Sequence, residues 1–289
     1  MTTAAQPHHR ENDFAEVHHV YEPHLVGLPP LLPYLREAWR RRSFAVELSR
    51  TKLRAQHFNT IFGQLWLVLN PLLLAGVYFV LVDILRGGSN PPGFFAHLVA
   101  GIFAYHLISD AARDGTRSVV SGGRLILNTA FPRVLLPLAS VVSATKRFLP
   151  TLVIYVPVHL ASGRHVGPEL LWVIPLLALL IVLASGLAMI VGAVQVYFRD
   201  LKNLMPYLLR IWLFASPVLY FAEEMPAKYR FLLNVNPLGQ LLAAWSDAIN
   251  LGRTPSATSL LVATAWAVGL LVVGFLFFIS REREFAVRL

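Results

Sequence analysis

Cysteine is missing from all 289 positions. That excludes disulfides, thiolate nucleophiles and zinc–thiolate sites together, and it leaves the redox compartment unreadable. Charge is scarce. Only 14% of residues are Asp, Glu, Lys or Arg, whereas a soluble domain carries about a quarter. A chain this poor in charge and 56% hydrophobic belongs with the membrane proteins. Lysine is confined to positions 52, 146, 202 and 228. Nucleotide and hydrolase signatures are absent too. There is no G-x-x-x-x-G-K-[ST] loop to cradle ATP, no H-E-x-x-H pair and no G-x-S-x-G elbow.

The first 30 residues hold no apolar core, so they do not read as a signal peptide. They contain His8, His9, His18, His19 and His24, with no further ligand at helical spacing to complete a metal site. Residues 1–32 read as a flexible cytoplasmic tail. Pro33 suits the start of a helix. Residues 33–58 then interleave Leu35, Trp39, Val46 and Leu53 with Arg40, Arg41, Arg42, Arg50, Lys52 and Arg54. Such a stretch is too charged to cross a bilayer. It reads as a basic amphipathic helix on an anionic membrane surface, with a solvated charged helix as the alternative.

Residues 59–289 form the transmembrane part. Six apolar stretches lie at about 61–85, 94–111, 134–162, 170–196, 204–221 and 260–280, against a hydrocarbon core of about 30 Å. Pro71 should kink the first, and Gly63 and Gly76 offer close helix contact. The second is short and carries His97, His106 and Asp110, so protein or water must shield it. The polar stretch 113–133 reads as a short helix dipping toward a cytoplasmic partner. Ser185, Gly186, Ala188 and Gly192 give the fourth a small-residue packing face. The fourth and fifth are antiparallel neighbours across a tight loop. A helix from Pro237 to Asn250, capped by Asn236 and stopped by Gly252, lies at or re-enters the far leaflet. The expected fold class is an all-α integral membrane protein with six transmembrane helices, an amino-terminal interface helix and a re-entrant segment between helices five and six.

Seventeen arginines and lysines fall on the side of the amino terminus. Five, Arg86, Arg164, Lys228, Arg230 and Arg253, fall on the other. This asymmetry puts both termini in the cytoplasm and the chain in the cytoplasmic membrane. The net charge of +9 follows the same basic edges, which fits anionic lipid and not nucleic acid.

Several side chains stand out. Lys146 and Arg147 fall near the middle of the third stretch, where they either snorkel to the cytoplasmic interface or face an internal water path. Arg210, inside the fifth, either snorkels or faces a pore or a second subunit. Aromatic residues serve either as interfacial belt and packing or as platforms on which sugar rings stack and slide. Tyr78, Tyr105, Lys146, Arg147, Arg210, Trp212, Tyr220 and Trp245 are the candidates for a glycan path. Ser216 before Pro217 is a packing or kink device, with no histidine near it in sequence to make it a nucleophile. His97, His106 and Asp110 are the only acid–base groups that a membrane-embedded transferase could use, the last two being four apart on one helix face.

Three blocks carry a family resemblance. The first is Phe62-Gly63-Gln64-Leu65-Trp66 with Pro71. The second is Phe131-Pro132-Arg133 with Leu136-Pro137. The third is Tyr197-Phe198-Arg199-Asp200 with Ser216-Pro217-Val218, Pro226 and Asn236-Pro237-Leu238. In order over roughly residues 45–289, the chain resembles the membrane subunit of ATP-binding-cassette exporters of the polysaccharide and polyol-phosphate type. The resemblance implies two copies side by side, two separate ATPase subunits that bring ATP and magnesium, and a channel passing a lipid-linked glycan outward. It implies no cofactor and no catalytic residue in this chain. Coupling to the ATPase would run through Arg113, Arg117, Arg124, Arg199, Asp200, Lys202 and the basic amino-terminal helix. Arg199-Asp200 reads equally as a helix end and a positive-inside anchor. Family cargo includes O-antigen, teichoic acid and galactan. Richness in arginine and alanine and the histidine-bearing tail point to an actinobacterial galactan exporter. An exporter of drugs or small lipids would differ only in cargo.

Overall fold

The computed structural model describes residues 30–56, 63–163 and 166–289. The expected tail histidines and Phe62 lie outside the described residues. Every regular element among the described residues is helical. Two short helices, α1 (Leu31–Arg40) and α2 (Arg42–Gln56), precede α3 (Trp66–Leu85). Then come α4 (Phe94–Ser121), the short α5 (Gly123–Asn128), α6 (Leu135–Ala161), α7 (Val173–Tyr197) and α8 (Leu201–Phe214). Small helices α9 (Leu232–Val235) and α10 (Gly239–Ser246) lead through a π-helical turn, Asp247–Leu251, to α11 (Ala257–Arg281) and α12 (Phe285–Arg288).

Among the described residues, five helices are long and apolar enough to cross a membrane: α3, α4, α6, α7 and α11. The expected fifth stretch, 204–221, is not one helix. α8 stops at Phe214 after 14 residues, about 21 Å of rise. The chain then turns at Ser216, whose carbonyl takes the Val218 N–H at 2.7 Å. Pro217 has no N–H to continue the ladder and pushes Ser216 away from helical geometry.

α4 also departs from expectation. It runs ten residues beyond Ala111 to Ser121, and only then does the short α5 follow. The polar residues that suggested a break are absorbed. Thr116 Oγ1 donates to the Ala112 carbonyl at 2.7 Å, and Ser118 Oγ to Gly115 at 2.6 Å. Pro33 sits third in α1 and not first. Gly252 does end the π-helical turn, at φ 58° in the left-handed region.

Lipid tails are as apolar as leucine, so helices in a bilayer hold together by close packing. α7 supplies it. A β-carbon on Gly186 would stand 2.3 Å from the Leu270 carbonyl carbon of α11, and one on Gly274 would stand 2.3 Å from the Gly186 oxygen. On α4, a β-carbon on Gly115 would meet Ala188 Cβ at 2.8 Å, and one on Gly192 would meet the Gly115 oxygen at 3.0 Å. The small-residue face of α7 thus brings α4 and α11 into backbone contact. Gly76 on α3 and Gly63 have nothing within 4 Å, so they mediate no such contact among the described residues. Met205 and Leu209 seat α8 against Ala112 of α4 and Val191 of α7.

Candidate functional site

Two ends and a middle carry the polar chemistry. At the end where α1 and α12 lie, Glu282 gathers three elements. Its Oε2 accepts from the Tyr34 hydroxyl at 2.5 Å and its Oε1 from the Arg133 N–H at 2.8 Å. The Arg133 guanidinium donates to the Glu282 carbonyl. Burial, reinforced by the Glu282 carboxylate, pushes the Tyr34 phenol well above its usual range, so Tyr34 remains a donor. Arg41 reaches the Ala130 carbonyl at 2.7 Å, and Phe44 meets Phe131 with ring centres 5.0 Å apart. The block Phe131-Pro132-Arg133 is thus the seat of the α1–α2 pair. Arg113, Arg117, Arg124, Arg199, Asp200 and Lys202 are all exposed. Asp200 lies at the start of α8, where a helix dipole favours a negative charge.

In the middle, Arg147 of α6 does not snorkel. It is ion-paired to Asp110 at 3.0 Å and to Asp114 at 2.6 Å, both on α4, with only 11% of its side chain exposed. Lys146 separates from it, reaching the Val46 carbonyl of α2 at 3.5 Å. Asp110 is thus committed to Arg147, and His106 Nδ1 is engaged by the Ile102 carbonyl at 3.0 Å. Tyr78, Tyr105 and Arg210 do converge. They line a small crevice of about 160 Å³ with His106, Arg113 and Pro206. The Tyr105 hydroxyl donates to the Leu209 carbonyl, fastening α8 to α4.

At the opposite end, the carboxamide of Asn236 is a hub. Its Oδ1 accepts from Trp212 Nε1 at 2.7 Å and from the Leu238 N–H at 3.0 Å. Its Nδ2 donates to the Ala215 carbonyl at 2.9 Å and to Ser216 Oγ at 3.0 Å. Ser216-Pro217 and Asn236-Pro237, two parts of the third sequence block, meet at this point. The bond to the Leu238 N–H makes Asn236 an Asx turn, not the helix cap expected for it. The hub forms one wall of a groove of about 1020 Å³. Trp212, Phe214, Tyr220 and Tyr229 line the groove, and Arg86 and Glu224 close its rim. Those two form a bidentate pair at 2.9 and 2.7 Å. The Arg86 hydrogen bonds hold the Glu224 carboxyl below the usual carboxylate range.

Trp245 departs from expectation. It is fully buried and donates from Nε1 to the Ala100 carbonyl at 3.2 Å. It is therefore a core residue and lines no groove. His97 is buried as well, between Ser246 Oγ at 2.7 Å and the Tyr220 carbonyl at 3.2 Å. A carbonyl only accepts, so Nε2 carries a proton toward Tyr220. Sequence reading missed Glu224, Tyr229 and Phe214 as groove residues. Phe214 ends the proline-broken helix, and Glu224 and Tyr229 lie in the loop that follows it. Among the described residues, no three His, Asp or Glu side chains converge as a metal site.

Comparison with known proteins follows the same elements. An O-antigen export system permease of Myxococcus xanthus is 29% identical over 262 residues, covering 89% of this chain and 99% of that protein. A Klebsiella pneumoniae protein of the same description is 25% identical over 203 residues, covering 70% of this chain and 78% of its own length. The family profile described as ABC-2 type transporter matches residues 46–250, a span that runs from α2 through the Asn236 hub to the π-helical turn. On that match, which takes in the Arg147 ion pair and the aromatic groove alike, the chain belongs to the ABC-2 type transporter family.

Proposed function

We propose that this chain is the permease subunit of an ATP-binding-cassette transporter that exports a lipid-linked polysaccharide across the cytoplasmic membrane. The observation that carries the reading is the likeness to an O-antigen export permease over 99% of that protein's length. Two copies form the channel, and two separate ATPase subunits supply ATP and magnesium. The end bearing α1, α5 and α12 faces the cytoplasm, and the Asn236 groove faces outward. α8 and the turn at Ser216 together make the sixth crossing, with irregular backbone tolerated because Ser216, Pro217 and Val218 are buried in protein. α1 and α2 lie on the anionic leaflet, and Lys146 under α2 faces its head groups.

The groove favours a sugar polymer over a small drug. Its aromatic faces accept ring after ring without fixing a register. Arg86 and Glu224 at its rim offer hydrogen bonds to hydroxyls. Galactan and O-antigen fit this chemistry; a teichoic acid, with an acyclic polyol-phosphate backbone, would use the rim alone. Against the transferase alternative stand the pairing of Asp110 with Arg147 and the bond of His106 Nδ1 to the Ile102 carbonyl.

Depletion of the chain in cells should accumulate lipid-linked glycan on the cytoplasmic side, with a proportional loss at the surface. Analysis of the accumulated glycan would name the cargo. Unchanged surface glycan on depletion would overturn the proposal.

A further inference from the structure

Residues 282–289 fold back under the helices. A 3₁₀ turn, Glu282–Glu284, leads into α12. Phe285 is fully buried and meets Phe278 of α11 edge-on, ring centres 5.2 Å apart. From there the segment reaches two elements that sequence keeps far apart. On one side is the 197–200 turn. Glu284 accepts from the Tyr197 hydroxyl at 2.7 Å, and the Arg288 guanidinium lies 4.5 Å from the Tyr197 ring. The Arg288 carbonyl accepts from the Arg199 guanidinium at 2.8 Å. On the other side is α5, where a β-carbon on Gly123 would stand 3.8 Å from Leu289 Cβ. The Glu282 cluster with Tyr34 and Arg133 anchors the base.

We propose that residues 281–289 are a strut that holds α5 and the 197–200 turn together as one rigid docking surface for the ATPase subunit. Tyr197, Glu284 and Arg288 are its positioning residues. The proposal rests on the reading that α5 and this turn meet the ATPase. The composition of the three elements fits a protein partner with an acidic rim. Leu127, Phe198 and Val287 are exposed apolar side chains, 61%, 46% and 89% accessible, with Arg124, Arg199 and Arg288 on the same elements and Lys202 just beyond the turn on α8. Apolar anchors within a charged rim are the anatomy of a docking patch. Without the strut, a push on α5 would not be delivered to the turn in front of α8.

The absence of cysteine makes the contact testable. β-Carbons about 3.8 Å apart are at the mean separation of natural disulfides. Gly123→Cys combined with Leu289→Cys, in the complete permease–ATPase complex in liposomes, should oxidise to a cross-link, and the oxidised and reduced forms should turn over ATP equally, because a strut does not open. Glu284→Ala releases Tyr197 and Arg288. The ATPase should still co-purify, while permease-dependent turnover falls about five-fold or more, as for other inter-site couplings. Glu284→Gln keeps an acceptor for Tyr197 and should recover most of it. Three results would overturn the strut: no cross-link, turnover that stops on oxidation and returns on reduction, or Glu284→Ala turnover equal to that of the unaltered complex. Should Glu284→Ala not fold, the cysteine pair still decides. An unaltered complex with no permease-dependent turnover would instead overturn the function proposed above.

Discussion

α7 and α3 are both apolar helices of membrane-spanning length, yet they meet the rest of the protein in opposite ways. α7 presents Gly186, Ala188 and Gly192 to its neighbours and is held at backbone distance by α4 and α11. α3 turns Leu73, Val77, Val80, Leu81, Ile84 and Leu85 outward, and a β-carbon on its Gly76 would meet nothing within 4 Å among the described residues. α8 resembles α3, with Leu204, Tyr207, Leu208, Ile211 and Phe214 exposed. Hydrophobicity alone therefore does not say where a helix sits in a membrane protein; the position of the small residues does. The α4–α7–α11 contacts are closed within one chain, while α3, α8 and the outer face of α11, with Leu261, Val268 and Val273 exposed, offer their surface to lipid or to a second copy.

The sharpest test of this contrast compares glycines on one helix pair. Gly186→Val should prevent stable folding, costing more than about 3 kcal/mol, because main-chain atoms of α11 cannot move aside. Gly269→Val, on α11 with nothing within 4 Å, should leave thermal denaturation in detergent unchanged. Equal effects would erase the distinction. Arg147→Ala comes next. It leaves Asp114 without its guanidinium and Asp110 with only the longer contact to Arg113 at 3.8 Å, and should cost about 3 kcal/mol. Adding Asp110→Asn and Asp114→Asn should restore most of the loss.

Asn236→Ala should cost about 2 kcal/mol, through unpaired groups on Trp212, Ala215 and Ser216. Its larger effect should be on export, because the groove wall is set by that carboxamide. Smallest is Glu224→Gln, worth under about 1 kcal/mol for a partly exposed pair. The Glu224 carboxyl is held below its unfolded value, so its stabilisation is complete above the ordinary carboxylate range and is lost as pH falls through and below it. Acid titration of the denaturation midpoint should show this step in the unaltered chain and not in Glu224→Gln.

Much of the scaffold was legible because its signals are local. The small residues of α7 sit at helical spacing, and Gly252 stops a helix where a glycine should. The length of α4 was not legible, because its aspartates are neutralised from α6, 33 residues away for Asp114 and Arg147. Counted along the sequence, those charges argue for leaving the membrane; paired in space, they do not. α8 was overestimated because Ser216-Pro217 was taken as a kink, while the backbone uses it to stop. The Asn236 hub shows the opposite case. Its Ser-Pro and Asn-Pro members were grouped in one block, and only folding reveals that the Asn236 side chain joins them.

Because bare backbone faces bare backbone at Gly186 and Gly274, neither α7 nor α11 has room to roll about its own long axis. Any such rotation would drive a flanking side chain into the opposing main chain. The two helices therefore translate and tilt as one plank. Widening and narrowing of a passage falls to helices whose outer faces are free to slide. A cross-linker joining α7 to α11 should be silent in transport, and one restraining α8 against α3 should not.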